Sequence, residues 1–308
     1  MGDKMLQFKE IEMEDFPILR EYFEAQSFGL CDYSVGAIYM WKDYNKTKYC
    51  EHNGFIVMRF EWQSENKTCF SFPIAKSEKS KEELIEFIGI LREHAMQDVG
   101  TFFMGVVPAQ MKDFLEKEFS VKSAVARRAW SDYVYNYEDL AEMKGRKYSG
   151  KRNHISSFIK NYPGYEVMPI TKSDVPLIKA EYERYFLNRF NDGGDDTLKA
   201  AESEETILLL ERMHDLSMTG IFIRAAGRLA GFSIGEIVGK TLLVHVEKAL
   251  TEFSGIYTFV CREYARAAYK EGVEYINREE DVGSEGLRKS KLSYHPAFLL
   301  EKYLLEIA

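Results

Sequence analysis

Cysteine is scarce in this 308-residue chain. Cys31, Cys50, Cys69 and Cys261 show neither Cys-x-x-Cys pairing nor a histidine at zinc-ligand spacing. Four lone thiols read as reduced, so a disulfide scaffold and a zinc module are excluded and no metal site is expected. Long hydrophobic runs are missing as well. "FFMGVVP" (102–108) falls far short of the ~20 apolar residues that cross a bilayer, and the opening "MGDKMLQFKEIE" has no apolar signal core. The expectation is a cytoplasmic protein without a transmembrane segment. Positive charge is in deficit: 41 Lys+Arg stand against 49 Asp+Glu, for a net charge of −8. Wholesale coating of nucleic acid needs clustered cations, so DNA is not an expected partner, whereas a single basic groove is compatible. There is no Gly-x-Ser-x-Gly, and no cysteine lies near a chemically placed histidine, which leaves a hydrolase unsupported.

What is present is ample material for two cores: 45% hydrophobic and 14% aromatic residues in a length comfortable for two domains. Helix-then-strand order occurs twice. "SKEELIEFIGILREHAMQDVG" (80–100) has Ser80 and Glu83 at capping-box spacing, Leu84, Ile88 and Leu91 at helical intervals, and Gly100 as a stop. The strand 101–107 follows, and Pro108 then opens another helix. In the second half, "SGIYTFVCREYARAAYKEG" (254–272) ends at Gly272, the strand "VEYIN" (273–277) follows, and "SEGLRKSKL" is the next helix. Strand-like segments precede each helix, including "TGIFIRAAGRLAGFSIGEIVGKTLLVHVEKA" (219–249). The repetition predicts an internal duplication of α/β units with mixed sheets.

Between the halves, 143–167 carries Lys144, Arg146, Lys147, Lys151, Arg152 and Lys160 with no acid before Glu166, and reads as a basic hinge. The predicted division is an N-terminal domain over 1–142, the hinge over 143–167, and a C-terminal domain over 168–308. The acidic turn "NDGGDD" (191–196) reads as a loop or lid and lacks the alternating acids of a calcium loop.

Two stretches carry candidate chemistry. In "TLLVHVEKA", strand alternation predicts Leu243, His245 and Glu247 on one face and Leu242, Val244 and Val246 on the other. An imidazole and a carboxylate two residues apart would then share a pocket and supply a general base, unless that face is simply solvated. In "VEYINREEDVGSEGLRKSKL", Tyr275, Asn277 and Glu279 share one side of a strand end and Arg278 takes the other. Open α/β sheets place ligands at such carboxyl ends. Beyond Gly283, Arg288 and Lys291 share a helix face suited to an anion, or else to surface ion pairing.

"INREEDVGSEGLRKSKLSYHP" resembles the closing motif of the bacterial DUF2156 family, which is related to the C-terminal domain of phosphatidylglycerol lysyltransferases. "SFGLCDYSVGAIYMWKDYNKTKYCEHNGFIVMRF" (27–60) and "YSGKRNHISSFIKNYP" (148–163) are similar to the family's N-terminal and central segments, in the same order. The resemblance implies two tandem GNAT-like (acetyltransferase-type) domains. It also implies kinship with Fem-type aminoacyltransferases, which move acyl or aminoacyl groups from a thioester or a charged tRNA to an amine or hydroxyl. The matched positions are Lys151, Arg152 and Asn153 in the central segment, and Asn277, Arg278, Glu279, Asp281, Gly283, Arg288 and Lys291 at the close. The acetyltransferase pyrophosphate loop is missing: its place reads "LTEFSGIYTF" (250–259), with the single glycine Gly255.

The first expectation is therefore an acyl- or aminoacyltransferase. Glu247, His245 or Glu279 would serve as base, with Asn277 beside them, and Arg278 or backbone amides would hold the oxyanion. Lys151, Arg152, Asn153, Arg278, Asp281, Gly283, Arg288 and Lys291 would bind substrate or donor. The donor, acyl-CoA or the acceptor end of an aminoacyl-tRNA, is a passing substrate and not a permanent cofactor, and the acceptor is a small amine or hydroxyl compound. The second expectation is a non-catalytic GNAT-like module that recognises a small ligand or a partner protein. The first half lacks an Asn/Glu/Asp cluster and reads as structural.

Overall fold

The structure, a computed structural model, describes residues 6–185 and 196–308. Most of the acidic turn 191–196 lies outside the described residues. The strands of the first half are β1 (Lys9–Glu10), β2 (Lys48–His52), β3 (Phe55–Trp62), β4 (Lys67–Ser71), β5 (Ile74–Ala75), β6 (Phe102–Pro108) and β7 (Val121–Ala126). Those that follow are β8 (Asp132–Asn136), β9 (Glu166–Pro169), β10 (Thr219–Ala225), β11 (Arg228–Val238) and β12 (Thr241–Ala249). The last are β13 (Tyr275–Asn277), β14 (Phe298–Leu300) and β15 (Lys302–Ile307). The helices are α1 (Phe16–Ala25), α2 (Val35–Trp41), α3 (Lys81–Asp98), α4 (Ala109–Glu118) and α5 (Tyr137–Glu142). After them come α6 (Ser149–Asn161), α7 (Val175–Tyr185), α8 (Asp196–Arg212), α9 (Ile256–Ala267) and α10 (Glu285–Leu292). Among the described residues no helix is long and apolar enough to cross a membrane.

The chain forms two compact units. The first holds residues through Asp132 together with Glu280–Ser284 and Leu299–Ala308; the second holds Tyr133–Glu279 and Glu285–Phe298. In the first unit the sheet order is β1-β2-β3-β4-β6-β15-β7, with β5 beside β3. β4 and β6 run parallel, and β15 pairs antiparallel with both β6 and β7. Helix α3 begins where the sequence predicts: Ser80 accepts from the Glu83 amide while Glu83 reaches back to the Ser80 amide. Its apolar stripe of Phe87, Ile88 and Leu91 is buried. Each such side chain stabilises the unit by roughly 1.5–3 kcal/mol.

The second sheet repeats the plan, in the order β14-β8-β13-β12-β11-β10-β9 with β12 and β13 as the parallel pair. In both sheets an antiparallel run leads to one parallel pair, and the next strand comes from a distant part of the chain. Helix α9 crosses the second sheet where β11 has glycines: a Cβ on Gly231 would meet Val260, and one on Gly235 would meet the Tyr264 hydroxyl. Helix α6 covers α9, with Phe158 and Phe259 rings 4.6 Å apart.

The units differ from the boundaries expected from sequence. Residues 143–167 are not a hinge: they hold α6 and belong to the second unit. The second unit also does not run to 308. The slot between β6 and β7 needs a strand to satisfy two rows of backbone groups, and β15 fills it; β8 does the same beside β13. Pairing across such sequence distances leaves no local pattern, whereas the helix caps do.

Candidate transfer site

The site grows from an irregularity in β12. Across from β11 the register runs Ser233 to Glu247 and Ile234 to Val246, then jumps to Gly235 with Val244, so His245 has no partner opposite it. A one-residue bulge of this kind reverses strand alternation. Ser233 and Glu236 lie three apart in β11, so their partners Glu247 and Leu243 are on opposite faces. The expectation that His245 and Glu247 share a face is thereby corrected. β12 is also buried on both faces from Thr241 to Val246, so neither face is a solvated one.

On the face of Glu236, His245 is fully buried between two carboxylates. Nδ1 lies 2.8 Å from Glu279 and Nε2 3.1 Å from Glu236. Burial pulls its pKa down, but the hydrogen bonds to Glu236 and Glu279 prevail and lift it to about 9. Both ring nitrogens are engaged by carboxylates on this face, away from Glu247 and Arg278. Glu279, at φ +57°, holds this pair, and its amide donates 2.7 Å to the Asn277 side chain. Asn277 itself is fully buried. Its engaged side chain is placed to shape the turn at the end of β13.

On the opposite face, beneath α9, Arg278 donates from Nη2 to Glu247 at 2.6 Å. Its Nη1 is buried and has no hydrogen-bond partner among the described residues. The guanidinium lies 4.6 Å from the Tyr294 ring centroid, and Lys151 Nζ sits 3.4 Å from the same centroid. Lys151 also donates to Ser293 Oγ at 2.7 Å. Burial, assisted by the neighbouring Arg278 charge, lowers the Lys151 pKa to about 8. Cys261 lines the same region, its thiol pushed up to about 12 by burial, so it stays protonated. This face therefore carries two cations against one carboxylate. The parallel pairing of β12 with β13 ends at Leu243 and Asn277 while β12 continues to Ala249. The pair thus lies at the carboxyl end of parallel strands, where the sheet opens.

Other matched residues have structural employment. Lys291 is buried and donates to the Arg278 carbonyl at 2.5 Å, fixing the backbone of the residue that carries the guanidinium. It is therefore not free to hold a phosphate with Arg288, which lies half-buried on α10. Arg152 spends Nη1 on the carbonyls of Met143 and Gly145, both at 2.7 Å, and Asn153 is exposed on α6. Lys144 and Lys147 pair with Glu142 and Asp139. Asp281 and Gly283 fall in the first unit: buried Asp281 accepts from the Gly283 amide at 2.9 Å and from Arg128 at 3.3 Å, and Gly283 turns at φ +83°. Gly255 caps α9 at φ +86°, and a Cβ there would stand 2.0 Å from the His154 carbonyl. The space beside this helix start is thus taken by α6 backbone.

Sequence reading missed a second charged cluster. In the first unit Lys302 is buried with its ammonium 2.5 Å from Asp32 and 2.7 Å from Asp132, with Glu280 at 3.5 Å and Cys31 Sγ at 3.4 Å. Cys31, Asp32 and Asp132 could by spacing hold a metal ion, and the Lys302 ammonium already serves that cluster as its cation. Burial and the surrounding carboxylates push the Cys31 thiol well up. The five residues come from four separated stretches, and no signal in the sequence unites them.

The family described as the C-terminal region of phosphatidylglycerol lysyltransferase matches residues 26–306. A conserved protein of Bacteroides thetaiotaomicron is 31% identical, with 99% of this chain and 100% of that one covered at a TM-score of 0.90. The C-terminal domain of a putative lysylphosphatidylglycerol synthetase of Agrobacterium fabrum superposes at 0.64 with 14% identity, over 95% and 91% of the two chains. FemX superposes at 0.59 with 11% identity, over 98% of each. A curated relative, an uncharacterized protein of Mycoplasmoides gallisepticum, is 21% identical over 195 residues; the match covers 63% of this chain and 61% of that protein's length. The two α/β units, each built on a mixed sheet, form the fold that these solved structures share. On a match that spans nearly its whole length, the chain belongs to the phosphatidylglycerol lysyltransferase C-terminal family.

Proposed function

We propose that the protein is an acyl- or aminoacyltransferase whose transfer site is the Glu247–Arg278 face of the second sheet. The observation that carries this reading is the partly buried carboxylate–guanidinium pair, 2.6 Å apart, at the open carboxyl end of β12 and β13. In the reaction, an amine or hydroxyl of the acceptor attacks the carbonyl carbon of a thioester or ester donor. A new C–N or C–O bond forms, the tetrahedral intermediate collapses, and the thiol or ribose hydroxyl leaves with a proton. Glu247 receives the acceptor's proton as the bond forms and returns it to the leaving group. The net positive surroundings favour the negative charge that develops on the carbonyl oxygen. Beyond Leu243 no strand pairs β12 on its β13 side among the described residues, so its backbone suits an extended donor arm with amide groups.

The donor is acyl-CoA or aminoacyl-tRNA. Thermal shift against acetyl-CoA, longer acyl-CoAs, free CoA and deacylated tRNA identifies which, because a ligand that binds the folded state raises the melting temperature. With the donor in hand, Glu247→Gln should cut transfer by about 100-fold or more while leaving donor binding within twofold. Full transfer by that variant would end Glu247's role as proton acceptor. One observation favours a non-catalytic receptor instead: His245 is locked in a charged pair. Under that reading no donor shifts the melting temperature and Glu247→Gln leaves affinity for the recognised ligand unchanged.

A further inference from the structure

We propose that one of the two substrates brings a free carboxylate to this site, beside its amine, and that Arg278 Nη1 and Lys151 receive it. The inference rests on the transferase reading and adds the class of acceptor: an amino acid or an amino-acid-like primary amine with its acid group unblocked. A guanidinium nitrogen buried without a partner loses the hydrogen bonds that water gave it unless a ligand restores them. Its other terminal nitrogen is already held by Glu247, which fixes the plane in which Nη1 points. A second cation stands at the same aromatic ring, since Lys151 and Arg278 both lie against Tyr294.

The sign and size of the missing charge follow from the inventory. Arg278, Lys151 and Glu247 sum to one positive charge, and Cys261, Tyr135 and Tyr294, also in this environment, are held neutral by burial. One added negative charge balances the site. A phosphate dianion would overshoot it against the Glu247 carboxylate. A carboxylate whose neighbouring amine arrives uncharged supplies that one charge, with the carboxylate on Arg278 and Lys151 and the amine turned to Glu247. That arrangement sets the amine at the group proposed to take its proton, which is how binding energy remote from the reacting atom becomes orientation. Lys151 is also poised to respond to such a ligand. Its ammonium is disfavoured by burial and by Arg278, and an anion would restore it.

The test is calorimetric titration of the full chain with L-amino acids, their α-amides, and inorganic phosphate as a probe of plain anion binding. The expected result is that at least one acid binds, its amide binds tenfold or more weakly, and phosphate does not compete. Affinity for the acid should fall as pH rises through about 8, where the Lys151 ammonium is lost facing Arg278, Glu247 and Cys261. Lys151→Met should weaken the acid and spare the amide. Because Arg278→Gln leaves Glu247 unpaired, the double variant Arg278→Gln/Glu247→Gln is the companion, with its melting temperature measured first. Equal binding of acid and amide, unchanged affinity in Lys151→Met, preference for phosphate, or no binding by any amino acid would each overturn the proposal. The two readings separate cleanly. Transfer to α-amides as fast as to acids sinks the carboxylate subsite and keeps the transferase, whereas acid-selective binding without transfer from any donor does the reverse.

Discussion

At the scale of single residues, charge in this protein is buried in company. His245 between Glu236 and Glu279 has consequences for pH. Its folded pKa, about 9, lies above the value of 6.5 it has when unfolded. The stabilisation is therefore complete below about pH 6.5 and is lost as pH rises through about 9, when the folded state gives up its proton. Urea unfolding from pH 6 to 10 should show a decline of up to about 3 kcal/mol that His245→Gln flattens. Because Lys151, with its pKa lowered to about 8, contributes the opposite slope, the difference between wild type and His245→Gln is the readout, and a difference without slope in that window would refute the charged imidazole. Lys302 follows the same rule with more acids around it, and removing either member of such a set leaves the other buried without its counter-charge. Neither group could be located from sequence. His245 drew attention as a base because alternation placed it beside Glu247, and nothing in "TLLVHVEKA" announces the bulge that separates them.

At the scale of elements, what was legible is what local physics determines. Ser80 and Glu83 cap α3 as their spacing predicts, and Pro108 precedes α4. Beyond the end of β13, Glu279 and Arg278 engage different partners, His245 and Glu247, as their adjacent positions predict. Gly255 is the single glycine left where the pyrophosphate loop is missing, and the structure gives it a packing purpose. At φ +86° with a backbone carbonyl against it, residue 255 lets α6 and α9 approach closely. Gly255→Ala should destabilise the protein by roughly 2–4 kcal/mol, from left-handed strain and from displaced backbone. A melting temperature within one degree of wild type would show that α6 yields at little cost. Arg152 belongs to the same account: read as a donor ligand, it instead secures the carbonyls that end α5.

At the scale of the whole molecule, duplication was visible in the repeated helix–strand order, but the exchange of strands was not. The chain supplies β15 to the middle of the first sheet and β8 to the second, and hydrophobic pattern alone does not say which slot a strand fills. Removing 302–308 should therefore open β6 and β7 to solvent. Limited proteolysis should then cut in 102–126 while the second unit's peptides stay protected. Equal protection of both stretches would show that the first sheet closes without its last strand.

The placement of β15 also sets an order of events during synthesis. A ribosome delivers the chain in sequence order, so β1 to β7 emerge before the second unit, yet the strand that lies between β6 and β7 follows that unit. Until then two neighbouring strands present bare edges, the kind of surface that recruits other chains. The half made first is the half completed last, and nascent-chain chaperones would have most to protect there.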